Sequence, residues 1–179
     1  MRWTQLRTAL HDFLAPSLRD RLAIHQARYR VTREEAGRVW LELDGRELIS
    51  FDTATYVARR YQIERDIRSG IGPFASPEGS GYAGYLNADA AARAFLRRTG
   101  EYDDYSALRD LEDYLSLSIE DALVSESPLV RALAYADRRV GKRRLRSLQP
   151  TESEHSLVRA IYDARVAADR VSGQSTAGL

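Results

Sequence analysis

No cysteine occurs among the 179 residues. Disulfides, thiolate nucleophiles and thiolate metal sites are therefore excluded, and the composition fits a reducing compartment. Histidine is scarce as well: His11, His25 and His155 are scattered, and no two stand at ligand spacing. No serine sits in a nucleophile-elbow pattern. The sequence thus assigns no catalytic, cofactor-binding or metal-binding residue, and an active site would have to be assembled from residues distant in the chain. Long apolar runs are missing too. None approaches the ~18 residues of a membrane span. The opening MRWTQLRTALHDFL carries charges every few residues and lacks the apolar core of a signal peptide. The expectation is a cytoplasmic protein with no membrane partner and no cofactor.

Charge of one sign is also not in excess: 27 cationic against 26 acidic side chains leave a net charge of +1, too little for a general attraction to nucleic acid. The distribution is uneven. Residues 1–85 hold 13 cations and 11 anions, 86–127 hold 4 and 10, and 128–179 hold 10 and 5. A −6 segment beside a +5 segment suggests two helical layers that attract each other.

Periodicity organises the chain. Trp3, Leu6, Leu10 and Leu14 recur at helical spacing, and Pro16 ends that helix. Leu22–Tyr29 alternates as a strand. RVWLEL and RELISF flank Asp44-Gly45, a two-residue hairpin signal. With that turn, Trp40 falls opposite Ile49 and Phe51 opposite Arg38. Both sheet faces then carry large apolar groups, and both are expected to be covered. A helix follows from about Thr55 to Arg68. Residues 69–87 are rich in glycine and read as a loop, within which residues 70–84 are expected to be mobile and dispensable to the fold. Helices are predicted at Ala88–Arg98 with Asn87 as cap and Gly100 as stop, around Leu108, Leu111 and Leu115, after Ser118, from Pro128 behind Ser127, and over His155–Val171. Residues 172–179 read as a flexible tail. The expected fold is α+β: a three-stranded antiparallel sheet in α-β-β-β-α order (1–68), covered by a C-terminal helical layer (88–171), as one domain over 1–171.

The conspicuous feature is DRRVGKRRLRSL, Asp137–Leu148, with the chain's one lysine among its cations. Continued as a helix, it places Arg138, Lys142 and Arg146 on one stripe flanked by Arg139 and Arg143, opposite Leu133, Ala136, Val140 and Leu148. Two readings stay open. The cations are a solvated or salt-bridging face, or they bind phosphates or an acidic protein partner. GSGYAG (Gly79–Gly84) matches a dinucleotide fingerprint, but PFASPE before it is no strand and the next helix is predicted only after Leu86, so a loop is the expectation. The carboxylates of EYDDY read as a helix start, where they meet the positive end of the dipole.

At RYRV (Arg28–Val31), GRVWLELDGRELISF (Gly37–Phe51) and SLSIEDALVSESPLVRALAYADRRVGKRRLRSL (Ser116–Leu148), the chain resembles a family of small uncharacterised bacterial proteins, from Trp3 to about Ala168. The resemblance implies a bacterial intracellular protein and carries over no site residue. The element order of residues 3–68 also resembles a double-stranded RNA-binding domain, although Thr53, Ala54 and Thr55 stand where basic residues would begin the second helix. The leading expectation is a non-catalytic interaction protein, of adaptor or immunity type, that binds another protein through charged helical surfaces. The alternative is binding of structured RNA or DNA through Arg138, Arg139, Lys142, Arg143 and Arg146, and the third reading is an enzyme with a site near the glycine-rich loop. No oligomeric state follows from the sequence.

Overall fold

The computed structural model describes residues 1–29, 36–69 and 82–174, with the side chains of all but residues 82–86 and 171–174. The order is α1 (Trp3–Phe13), β1 (Leu22–Tyr29), β2 (Ala36–Leu43), β3 (Arg46–Asp52), α2 (Thr53–Arg68), α3 (Tyr82–Arg98), α4 (Asp104–Tyr114), α5 (Ile119–Leu123), α6 (Pro128–Ala136), α7 (Lys142–Ser147) and α8 (Ser156–Gln174). It is an α+β fold: a three-stranded antiparallel sheet in the order β1-β2-β3, followed by helices.

The β2–β3 turn forms as its two residues dictate. Asp44 and Gly45 both take positive φ (54° and 76°), the conformation of a type I′ turn. Arg21 grips the Asp44 carboxylate with two hydrogen bonds of 2.8 and 2.7 Å. The register past the turn differs from the expected one. Glu42 pairs with Glu47 but Leu41 pairs with Ile49, so Leu48 is an extra residue in β3, a β-bulge. Phe51 therefore lies opposite Val39, not Arg38, and Trp40 lies opposite Ser50.

That one-residue shift decides which aromatic enters the core. Leu22, Ile24, Val39, Leu41 and Phe51 form the covered face, and all are buried. Each such side chain contributes about 1.5–3 kcal/mol by burial. Phe51 stacks on Tyr102 (centroids 5.3 Å apart). Gly37 continues this face where α4 comes close: a Cβ there would overlap the Asp104 carboxylate, which also accepts a hydrogen bond from Thr53 Oγ1. The other face is not covered as expected. Trp40 is half-buried, stacked on His25 (5.0 Å), with the Arg38 guanidinium 4.9 Å from its ring centre and its indole N–H donating to Glu42 (2.8 Å). Arg38 in turn binds Glu47 and Ser50. Arg38, Glu47 and Ser50 bond one another and Glu42 accepts from Trp40, so this face keeps a polar, partly exposed rim.

One buried cluster runs from Leu6 and Leu10 of α1 through the sheet to Leu157, Val158 and Ile161 of α8. A smaller one, Ile63 with Ala92 and Leu96, joins α2 to α3. Helix α3 begins at Tyr82, earlier than the predicted Ala88, so Asn87 is an internal residue and not a cap. Helix formation thus reaches into GSGYAG, yet the described element upstream of it is the helix α2, not a strand. The loop expected at 70–84 lies outside the described residues up to position 81, and its last three residues are helical. The likeness to a double-stranded RNA-binding domain stops at element order, since the start of α2 is tied to α4 through Thr53 and Asp104. No described helix is long and apolar enough to cross a membrane.

Candidate functional site

The basic segment is not one helix. Helix α6 opens with Ser127 capping Val130 N (3.3 Å) and Pro128 in its first turn, and it ends at Ala136. There the chain leaving α1 supplies competing backbone partners: Arg138 N donates to Phe13 O and Ala15 N donates to Ala136 O, both 2.8 Å. Asp137 turns extended (ψ 136°) and pairs with Leu14 as an isolated β-bridge. Helix α7 restarts only after Gly141.

The break is held by a buried polar cluster. The Asp137 carboxylate, 0% exposed, accepts hydrogen bonds from the Tyr114 hydroxyl, from Arg139 N (2.7 Å) and from Arg139 Nε (2.9 Å). Burial, reinforced by that carboxylate, holds the Tyr114 hydroxyl protonated well above the ordinary tyrosine range. Burial opposes the charge of Arg139, but its hydrogen bonds to Asp137 and Tyr114 prevail and raise its pKa. Arg139 also donates to Leu117 O (2.9 Å) and lies over the Phe13 ring (4.5 Å). From α8, Arg165, 3% exposed, donates to Tyr135 O (2.7 Å), Asp137 O (2.6 Å) and Val140 O. It thereby satisfies carbonyls that the end of α6 leaves open.

The five predicted cations accordingly separate. Arg139 is part of the fold. Lys142 leans on α8, 3.9 Å from Asp169 Oδ1. Arg138, Arg143 and Arg146 are exposed and pair with no described residue. Arg144, outside the predicted set, bridges to Glu120 at 2.8 Å. Among the described residues, that is the ion pair between the basic segment and the 86–127 segment. The acidic segment is met as much from the other side, by Arg59 on Glu101 (3.5 Å), Arg60 on Asp89 (3.2 Å) and the N-terminal amine on Glu112 (2.8 Å). Beside α7, Lys142, Arg146 and Arg170 surround a small cleft of ≈ 220 Å³ with Asp169 as its acid.

Sequence reasoning missed Arg165 and Tyr114. The signal for Arg165 was present: it follows Leu157, Val158 and Ile161 on the apolar stripe of α8, where a charge needs a buried partner. Among the described residues, no group of three or more His, Asp or Glu is placed to hold a metal ion.

A second cleft of ≈ 370 Å³ lies between β3, α2 and the start of α8 and contains His155. Its imidazole is fully engaged as a helix cap: Nδ1 accepts from Leu157 N (3.1 Å), and Nε2 is 3.2 Å from Thr99 O. The cap requires the neutral ring. Burial lowers the His155 pKa, with the Arg131 and Arg159 charges adding to it and Thr99 and Glu154 opposing. A base whose folded pKa is depressed stabilises the fold above its unfolded value of about 6.5 and loses that contribution as pH falls towards the folded value. The melting temperature is expected to drop from about pH 6.5 downward, and His155→Asn, which caps without titrating, should flatten that limb. An unchanged limb in the variant would remove His155 as its source.

No curated protein and no solved structure matches the chain. The profile of the SF0329 protein family matches residues 2–166, and the chain belongs to that family.

Proposed function

We propose that the chain is a non-catalytic interaction protein of a bacterial cytoplasm, of adaptor or immunity type, which binds an acidic surface of a protein partner through Arg138, Arg143 and Arg146. One observation carries the reading: the other cations of the segment are held by Asp137, Asp169 and Glu120, while these three are exposed and pair with no described residue. Guanidinium groups suit carboxylate partners through paired N–H donors. Three free cations and a net charge of +1 are a poor basis for nucleic acid, whose binding rests on many phosphate contacts.

The test is the triple variant Arg138→Gln, Arg143→Gln, Arg146→Gln. Its melting temperature is expected to stay that of the parent, because no internal partner is lost. In affinity capture from native cytoplasm, the parent should retain a nuclease-resistant protein that the variant releases, chiefly through slower association. A nuclease-sensitive catch, or duplex RNA binding whose salt slope falls by about one unit per lost arginine, would replace this reading with nucleic-acid binding.

A further inference from the structure

We infer that the free edge of β1 is a docking groove for an extended peptide segment in which apolar side chains alternate with acidic ones. This surface is separate from the arginines of the basic segment and goes beyond the role proposed for them.

Among the described strands β1 pairs with β2 alone, so its other edge has no described strand partner. Among the described residues, no further backbone hydrogen bond is made from Ala23 to Tyr29. Proteins usually protect such edges with bulges, charges or covering elements. The opposite edge strand, β3, has this protection: a bulge at Leu48, the charged Arg46 and Glu47, and a direct turn into α2. The eight residues of β1 carry no bulge.

What lies beside the edge is a groove. A cleft of ≈ 370 Å³ touches Leu22, Ala23, Ile24 and His25 in succession, with Leu10 of α1 and Leu14 just after it as its far wall. Successive strand residues point to opposite faces, so a cleft that meets four in a row must run along the strand's edge. A second cleft, of ≈ 270 Å³, continues it past Gln26 and Arg28, walled by Trp3 and Leu6 of α1. Helix α1 therefore runs antiparallel to β1, and the two clefts span nearly the whole strand. A helix alongside an open strand edge is the arrangement in which an added strand gains main-chain hydrogen bonds on one side and side-chain pockets on the other.

Charge selects the occupant. Arg7 and Arg19 at the first cleft and Arg28 and Arg109 at the second form no ion pair with a described residue. Of the acids there, Asp20 is exposed and Glu112 is already held by the N-terminal amine. Two buried donors, Arg19 Nε and Gln26 Nε2, have no hydrogen-bond acceptor among the described residues. An extended strand with alternate apolar residues would set them along Ala23 and the cleft floor above the buried Leu10, Leu14 and Ile24, and its carboxylates would meet these arginines.

The test uses the full chain, isotope-labelled for amide NMR, and three synthetic peptides of the length of β1, 8 residues. One alternates valine with glutamate, one valine with lysine, and the third is the glutamate peptide with alternate backbone amides methylated. The glutamate peptide is expected to shift the Ala23–Tyr29 amides and slow their hydrogen exchange. The lysine peptide and the methylated peptide should each bind at least about tenfold more weakly, and so should the glutamate peptide to the Arg7→Gln, Arg19→Gln chain. Equal binding of both charged peptides, shifts confined to the surface of Arg138, Arg143 and Arg146, or no binding would overturn the proposal. So would sedimentation as a dimer with the β1 edge amides already protected, which would make a second copy the occupant. The triple arginine variant, in contrast, should bind the glutamate peptide as the parent does, so failure of either surface is read separately.

Discussion

Replacing Arg165 by methionine is expected to lower folding stability by about 3–5 kcal/mol, the range for removing one partner from a buried charge cluster. Methionine retains much of the volume and apolar stem. What disappears is the guanidinium that serves Tyr135 O, Asp137 O and Val140 O. A buried carbonyl left without a donor costs about 1–3 kcal/mol, and three share this one group. The loss also removes a positive charge that interacts with Asp137 besides that of Arg139. Urea unfolding monitored by tryptophan fluorescence and circular dichroism gives the measurement. A loss under about 1 kcal/mol, with an unchanged denaturant slope, would mean that water replaces Arg165 and that the break between α6 and α7 does not depend on it. Tyr114→Phe should cost less, since Asp137 retains two Arg139 contacts.

A comparable loss, about 3–5 kcal/mol, is expected for Phe51→Ala, as for other fully buried aromatics. Trp40→Ala should cost only about 1–2 kcal/mol, because the indole is half-buried and is held by its neighbours on the rim. The contrast tests the bulge at Leu48. A regular hairpin would put Phe51 on Trp40's face, and truncating Trp40 would then be the more damaging change. Equal losses in the two variants would argue against the shifted register.

Local sequence signals suffice where an element depends on its own neighbours. Strand β1, the Asp44-Gly45 turn, and the caps at Ser118 and Ser127 were legible because each depends on residues within one or two turns of itself. The bulge was not, since nothing in RELISF requires it; adjacent Leu48 and Ile49, apolar on what should be alternating faces, were its one trace. The break at Asp137 was also invisible, because its cause is the backbone of Phe13–Ala15, far off in sequence. For the same reason the predicted cationic stripe was only partly right. Composition identified the segment, but tertiary partners decided that the partly exposed Arg139 is tied to the buried Asp137 while Arg138, Arg143 and Arg146 pair with no described residue.

The bridge between Leu14 and Asp137 also has a consequence for the order of assembly during synthesis. The chain leaving α1 finds its hydrogen-bond partners at Ala136 and Arg138, which are translated long after it. The sheet hairpins close over short separations and can form early, whereas the segment behind α1 must wait until α6 has emerged. Until then Leu6, Leu10 and Leu14, which end in the common core, lack much of their final covering. The N-terminal α-β-β-β-α half is therefore not finished when its last residue is made. It is completed by the arrival of the basic segment, which thereby acts as the closing element of the fold as well as part of its surface.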